Sequence, residues 1–139
     1  MRGYRVITDL LKEFDSEEFK GLVVFLPMVH GDDAASADER AREFEDARLA
    51  SLWDQERSVG RLFKQTLGLN STAWDVYLLY EPGVVWEGER PPPPISWMHQ
   101  LSRVTGAPRD RGLEPERLAA EVRRALERLP AGHRPPPPW

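Results

Sequence analysis

Cysteine is missing from the whole of the 139-residue sequence. Disulfides, thiolate nucleophiles, thiol redox chemistry and cysteine-ligated metal sites are therefore excluded. Apolar runs long enough to cross a membrane are missing too. The first residues, MRGYR, carry some positive charge, but the acidic residues that follow them are not typical of a signal peptide. We therefore expect a cytoplasmic protein.

The sequence also lacks a cluster of basic residues. It has 19 lysines and arginines against 23 aspartates and glutamates, a net charge of −4, and the two signs are interspersed. Binding to nucleic acid or to an anionic membrane needs a concentrated positive field, so neither partner is expected. The hydrophobic fraction of 40% and the charged fraction of 30% are those of a globular protein. We expect one domain over residues 1–130 and a disordered proline-rich tail over residues 131–139.

Four helices are predicted from apolar spacing and from start and stop signals. Ser36 and Glu39 form a capping box, which predicts a second helix running to about Leu49. Asp54 is placed to cap a third helix and Gly68 to end it. The other three helices show apolar stripes, which are Val6, Ile7, Leu10, Leu11 and Phe14 in the first, Val59, Leu62, Phe63, Thr66 and Leu67 in the third, and Leu118, Val122, Ala125, Leu126 and Leu129 in the last.

Strands are predicted from short apolar runs. LVVFLPMV, residues 22–29, is typical of a central strand buried on both faces, with regular pairing ending near Pro27. LASLW, residues 49–53, predicts a short strand. In AWDVYLLY, residues 73–80, Trp74 shares one face with Val76 and Leu78, which predicts a core position for its indole. The Glu-Pro-Gly turn that follows predicts a hairpin whose second strand is residues 84–87, and residues 95–101 are expected to form a short turn of helix.

Helices that alternate with strands indicate a parallel sheet with helices on both faces. The final hairpin and helix reduce the number of folds that fit this order of elements. The order of elements over residues 4–129 resembles the thioredoxin-like fold without its first strand, and it is similar to uncharacterised bacterial thioredoxin-like proteins. LVVFLPM (22–28) stands where that fold has its central strand, and AWDVYLLY with VVW (84–86) resembles its hairpin. The resemblance implies an α/β three-layer sandwich, with a central mixed sheet of about four strands flanked by four helices.

The thioredoxin active site itself is missing. The family carries Cys-x-x-Cys at the start of the helix after the central strand, and here residues 28–35 contain no cysteine. The family's cis-proline before the second central strand is missing near Thr72 and Ala73 as well. The resemblance therefore implies a fold without oxidoreductase activity.

The residues that stand in this vacant position are His30, Gly31, Asp32 and Asp33. They follow a predicted central strand and precede a helix, which is where open α/β sheets place ligands. His30 with Asp32 or Asp33 could transfer a proton or hold a metal ion weakly. The alternative interpretation is that both aspartates are capping residues favoured by the helix dipole and that His30 is solvated. His99 is the other ordered histidine, and nothing in the sequence joins it to this loop.

Two hypotheses follow. The first is a non-catalytic thioredoxin-like binding or accessory module without redox thiols or cofactor, whose partner is an unidentified protein or small molecule; a homodimer through a sheet edge is compatible with it. The second is a thiol-independent enzyme or metal-binding protein that uses His30, Asp32 and Asp33. The runs Pro91–Pro94 and Pro135–Pro138 are either ligands for an aromatic groove or, respectively, a stiff spacer and part of the tail.

Overall fold

The computed structural model describes residues 2–130, with the side chain of Arg2 excepted, and the predicted tail lies outside them. Contacts group these residues into an amino-terminal unit, 2–59, and a carboxy-terminal unit, 60–130. Within the described residues the elements follow in the order α1 (Arg2–Glu13), β1 (Gly21–Phe25), α2 (Ala34–Arg42), β2 (Leu49–Trp53), α3 (Ser58–Leu67), β3 (Val76–Leu79), β4 (Ser96–His99), two 3₁₀ turns (Arg103–Thr105 and Arg109–Arg111) and α4 (Pro115–Glu127). No helix among residues 2–130 has the length and apolar character that a membrane span requires.

A hydrophobic cluster of the amino-terminal unit lies on one face of a two-stranded parallel sheet. Tyr4 of α1, Phe25 of β1 and Ala37 of α2 are buried together, and Val23, Leu49 and Trp53 of the sheet pack against them among others. The Tyr4 hydroxyl also donates to the Ala41 carbonyl, 3.1 Å away. The apolar spacing of the first segment thus predicted α1 correctly, and LASLW forms β2 as expected.

Gly21 allows α1 and β2 to approach β1 closely. A Cβ at this position would lie 2.9 Å from Leu49 Cδ1 and 3.1 Å from Ile7 Cγ1, which is closer than such atoms can pack. A side chain here would therefore require the side chains of Leu49 and Ile7 to shift. Pairing between β1 and β2 runs from Gly21–Leu49 to Phe25–Trp53 and ends before Pro27, as predicted.

In the carboxy-terminal unit β3 and β4 are antiparallel, with Val76 opposite His99 and Leu79 opposite Ser96. The buried residues Leu69, Ala73 and Trp97 form one hydrophobic cluster of this unit, and Met98, Leu118 and Val122 are buried as well. Helix α3 ends as predicted at Gly68, whose φ is +68°. The Gly68 N–H donates to the Gln65 carbonyl and the Leu69 N–H to the Lys64 carbonyl, so the helix closes in a Schellman motif.

Two predicted boundaries of the amino-terminal unit are wrong. Helix α2 begins at Ala34 and is capped by Asp33, not by Ser36, and it ends at Arg42 because the chain must reach β2 by Leu49. Strand β1 is shorter than residues 22–29 and is not buried on both faces, since Leu22 is 51% exposed. Within residues 2–59, Tyr4 of α1 and Ala37 of α2 pack on the face that carries Val23 and Phe25.

The predicted hairpin is also wrong in its second strand. Residues 84–87 form no strand, and the partner of β3 is β4, in the segment expected to be a turn of helix. Burial accounts for this choice, because β4 buries Trp97 and Met98 whereas Val85 is 68% exposed. Trp74 is exposed and not in the core. Asp75, next to it, has a left-handed φ of +54°, so strand alternation does not extend back to Trp74.

The architecture is mixed α/β, as expected, but the hydrogen bonds among residues 2–130 do not join the strands into the predicted single central sheet. The four described strands make two sheets of two strands each, β1 with β2 and β3 with β4. The parallel pair joined by a helix and the antiparallel pair that follows it agree with the predicted order of elements.

Candidate functional site

The loop after β1 is folded onto itself by Asp32. One carboxylate oxygen, Oδ2, accepts the backbone N–H groups of Met28 at 2.9 Å and of Val29 at 2.8 Å. Gly31, between Val29 and Asp32, has a φ of +95°, a conformation that favours glycine. The carboxylate that the sequence offered as a ligand is therefore engaged in holding its own loop.

Asp33 is the N-cap of α2. Its backbone is extended, with φ −145° and ψ 172°, and its Oδ1 accepts the Ser36 N–H at 2.7 Å. This backbone hydrogen bond lowers the pKa of Asp33 below its ordinary value of 3.8. The positive end of α2 is thus neutralised by a residue of the chain itself, in the manner of the capping interpretation.

His30, two residues before Asp32, is exposed. The described part of the chain provides no hydrogen bond or ion pair to its ring. Residues 2–130 also contain no group of three histidine, aspartate or glutamate side chains placed to hold a metal ion. The structure therefore keeps His30, Asp32 and Asp33 in one loop, but each aspartate turns to a backbone partner and not to His30.

We expect Asp33→Ala to destabilise α2 at neutral pH and Asp33→Asn to do so much less, because asparagine also accepts the Ser36 N–H. Since the pKa of Asp33 is lowered in the folded state, its contribution is fully present above the unfolded value of 3.8 and is lost as the pH falls through the folded pKa. Urea midpoints at pH 7 and pH 3 should therefore differ less in both variants than in the parent chain. Equal pH dependence in all three would contradict the capping role.

His99 is buried and belongs to a different place, at the end of β4. Its Nδ1 accepts the Leu101 N–H at 3.0 Å, so Nε2 is the nitrogen that donates to the Pro108 carbonyl at 2.8 Å. The ring thus connects β4 to the segment that follows it. These contacts give His99 a structural role within the carboxy-terminal unit, which the sequence did not predict.

Tyr77 and Asp75 form a polar pair that sequence reasoning missed. The Tyr77 hydroxyl donates to Asp75 Oδ1 at 3.0 Å, and burial, with the neighbouring carboxylate, raises the pKa of Tyr77 far above its usual range. In the sequence the two residues share a face of the predicted strand 73–80, but Asp75 lies before β3 with a φ of +54°. A phenol held protonated and bonded to a carboxylate acts as a donor in the fold and not as a base.

The proline run Pro91–Pro94 has an internal role. Pro91 is buried, and the Pro92 carbonyl accepts the Tyr80 hydroxyl at 2.9 Å. The run leads directly into β4, so these contacts favour the stiff-spacer interpretation over a ligand for another protein.

The amino-terminal sheet has an apolar face that the helices leave open. Register places Leu22 beside Ala50 and Val24 beside Leu52, and paired residues of a parallel ladder share a face. Leu22 is 51% and Leu52 is 55% exposed. Large aliphatic side chains on neighbouring strands therefore lie together in solvent on the face opposite the core.

A cavity of about 500 Å³ lies on the other, helix-covered side of the same sheet. It is open to solvent, and its lining residues are Ala41, Phe44, Glu45, Asp46, Ala47, Leu49 and Ser51. Asp46 is bound by the buried Arg48, with 2.7 Å between Oδ2 and Nη2, whereas Lys12 Nζ lies 5.2 Å above the Phe44 ring. The cavity thus combines apolar walls with the exposed carboxylate of Glu45, while the Lys12 ammonium lies near its Phe44 wall, and sequence reasoning gave no sign of it.

No family model, no curated protein and no solved structure matches this chain. The thioredoxin-like relationship therefore stays a prediction.

Proposed function

We propose that this chain is a non-catalytic module that binds a protein partner. The observation that carries the proposal is the open apolar face of the β1–β2 sheet, with Leu22 and Leu52 more than half exposed on one surface. Clustered aliphatic side chains in solvent are typical of surfaces that another protein covers. The contacts of Asp32 and Asp33 also support the proposal, since both carboxylates serve the local fold.

The alternative hypothesis was an enzyme or a metal-binding protein using His30, Asp32 and Asp33. It would need the three side chains to converge on one point. Because both aspartates bond to backbone N–H groups, no specific contact favours it. We therefore propose binding alone.

We also propose that this module has a thioredoxin-like scaffold, which the order of its elements supports. Such a scaffold requires β1 and β3 to lie in one sheet. The hydrogen bonds among residues 2–130 instead form two separate strand pairs. Backbone nuclear Overhauser effects between residues of β1 and β3 would support the scaffold. A complete amide assignment without such effects would contradict it and would leave the binding proposal standing.

A photo-crosslinking residue at position 50 tests the binding proposal, because Ala50 lies at the centre of the apolar face. In an extract of the cells that produce this protein naturally, we expect a discrete protein adduct with the crosslinker at position 50. We expect none with the crosslinker at position 39, an exposed position on α2. The partner is then identified by mass spectrometry and purified. It should bind at least tenfold more weakly to a Leu22→Lys, Leu52→Lys double variant.

The double variant should remain folded, because both substitutions are on a solvated face and such changes usually alter stability by less than about 0.5 kcal/mol each. Its far-ultraviolet circular dichroism and its urea midpoint are the controls. Equal crosslinking at positions 50 and 39, or equal affinity of the double variant for the purified partner, would contradict the proposal.

A further inference from the structure

Strand β2 has an outer edge that no other strand pairs with among residues 2–130. The Gly21 N–H donates to the Arg48 carbonyl at 2.8 Å, and the Asp54 N–H donates to the Phe25 carbonyl at 2.9 Å. In a parallel ladder, alternate residues of a strand direct their backbone N–H and C=O groups towards the same neighbouring strand. These two bonds therefore show that Ala50 and Leu52 direct their backbone groups towards β1. Ser51, between them, therefore directs its N–H and C=O outwards.

The outer edge is available for pairing at Ser51. Of the residues that face outwards, Leu49 already donates its N–H to the Asp46 carbonyl at 2.9 Å, but Ser51 is exposed and has no backbone partner among the described residues. Unpaired N–H and C=O groups along a strand are a template for one more strand. The ligand that fits such an edge is an extended peptide.

The cavity described above lies beside this edge. Leu49 and Ser51 line it from β2, and Ala41 and Phe44 line it from α2 and the residue segment after it. Side chains of an added strand point alternately to the two faces of the sheet. Every second side chain of that strand would therefore enter the cavity, as in other cases of recognition by strand addition.

The charge of the cavity rim selects among such peptides. Asp46 is neutralised by Arg48, but Glu45 on the rim is exposed and has no ion pair among residues 2–130. Residues 1–59 contain 14 acidic and 8 basic side chains, a net charge of −6. Opposite charge on the ligand is favoured by such a field.

We propose that the outer edge of β2 takes up an extended segment of a partner protein as a third strand, with an arginine or lysine side chain of that segment beside Glu45. This inference rests on the proposed binding function and names the class of partner. The backbone of Ser51 supplies the hydrogen bonds, and the cavity accepts the alternate side chains.

The probe is an acetylated seven-residue peptide of alternating threonine and valine with a central arginine, titrated into the full chain and followed by amide chemical shifts. We expect saturable shifts centred on residues 49–53. Ser51→Pro removes the outward N–H without breaking the ladder to β1, so it should weaken binding at least tenfold, while Ser51→Ala should stay within twofold of the parent. Glu45→Lys, and a peptide with glutamate in place of arginine, should each weaken binding at least fivefold.

If the Ser51→Pro variant does not fold, the backbone hydrogen bonds are tested by changing the peptide instead of the protein. A version N-methylated at its three central amides cannot donate to β2 and should lose binding at least tenfold. Failure of the arginine peptide to bind at millimolar concentration, or equal binding of the N-methylated peptide, would overturn the inference. Crosslinking at position 50 tests the proposed function by itself, since that residue directs its backbone to β1 and does not belong to the outer edge.

Discussion

Replacing Arg48 with methionine is expected to lower the free energy of unfolding by about 3–5 kcal/mol, the usual cost of removing one partner from a buried ion pair. Arg48 is only 8% exposed. Its guanidinium donates to the carbonyls of Leu11 at 2.8 Å and Phe14 at 2.6 Å, and to Asp46 at 2.7 Å. One side chain therefore satisfies the carbonyl end of α1 and joins it to the start of β2.

Urea unfolding followed by circular dichroism measures this loss, with Arg42→Met on the exposed end of α2 as the matched control. The control should change stability by less than about 0.5 kcal/mol. Arg48→Lys should lie between the two, since an ammonium group lacks the planar fork that reaches three acceptors. A loss below about 1 kcal/mol for Arg48→Met, in the range of an exposed pair, would contradict the proposed role.

The same pair predicts a pH dependence. The hydrogen bond from Arg48 lowers the pKa of Asp46 below its ordinary value of 3.8. The stability that Asp46 contributes is therefore fully present above that value and is lost as the pH falls through the folded pKa. Arg48→Met removes the cause of the shift, so the variant should lose less stability between pH 6 and pH 3 than the parent chain does.

Trp97→Ala is expected to destabilise the carboxy-terminal unit by about 3–5 kcal/mol, the range for truncating a buried aromatic side chain. Trp97 is 8% exposed and belongs to the buried cluster with Leu69 and Ala73. The Arg111 guanidinium lies 5.1 Å from the centroid of its ring, so the substitution also removes a cation–π contact.

Val85→Ala is the matched control, because Val85 stands in the segment that sequence reasoning assigned to the hairpin and is 68% exposed. It should change the free energy of unfolding by less than about 0.5 kcal/mol. Thermal and urea unfolding of both variants compare the two segments directly. A larger loss for Val85→Ala than for Trp97→Ala would mean that residues 84–87, and not β4, pair with β3.

The helices were predictable because their signals are local. The apolar spacing of residues 6–14 predicted α1, and Pro115 opens α4 as expected. Asp54 Oδ2 accepts the Val59 N–H at 2.7 Å, so Asp54 does bind an amide in the first turn of α3, although the helix begins at Ser58 and not directly after Asp54. In each case the decisive residues lie within a few positions of the helix that they begin or end.

The choice of strand partner was not predictable in this way. VVWE, residues 84–87, has the better strand composition and follows a turn, yet SWMH, residues 96–99, pairs with β3. Either segment could have paired with β3, and the burial of Trp97 and Met98 favours residues 96–99. Local propensity for strands is weak compared with burial of this size.

For the candidate site, the sequence predicted the position of the loop and the alternative that Asp32 and Asp33 are helix-capping residues. It did not determine which backbone groups each aspartate would reach, and it assigned the cap to Ser36 where the structure has Asp33. The cavity next to β2 was beyond sequence reasoning, since its lining residues come from α2, β2 and the segment between them. Only folding brings these residues together.

The sequence by itself determined that no thiol chemistry is possible, because composition settles this before any folding. It also predicted the four helices and the strands β1, β2 and β3, since helix signals and apolar runs are local. Tertiary structure alone decided which strands pair, that Arg48 holds the end of α1, and that β2 keeps an unpaired edge beside a cavity. The strand pairs and the Arg48 contacts join residues that are distant in sequence, and their energies are settled by burial and not by propensity.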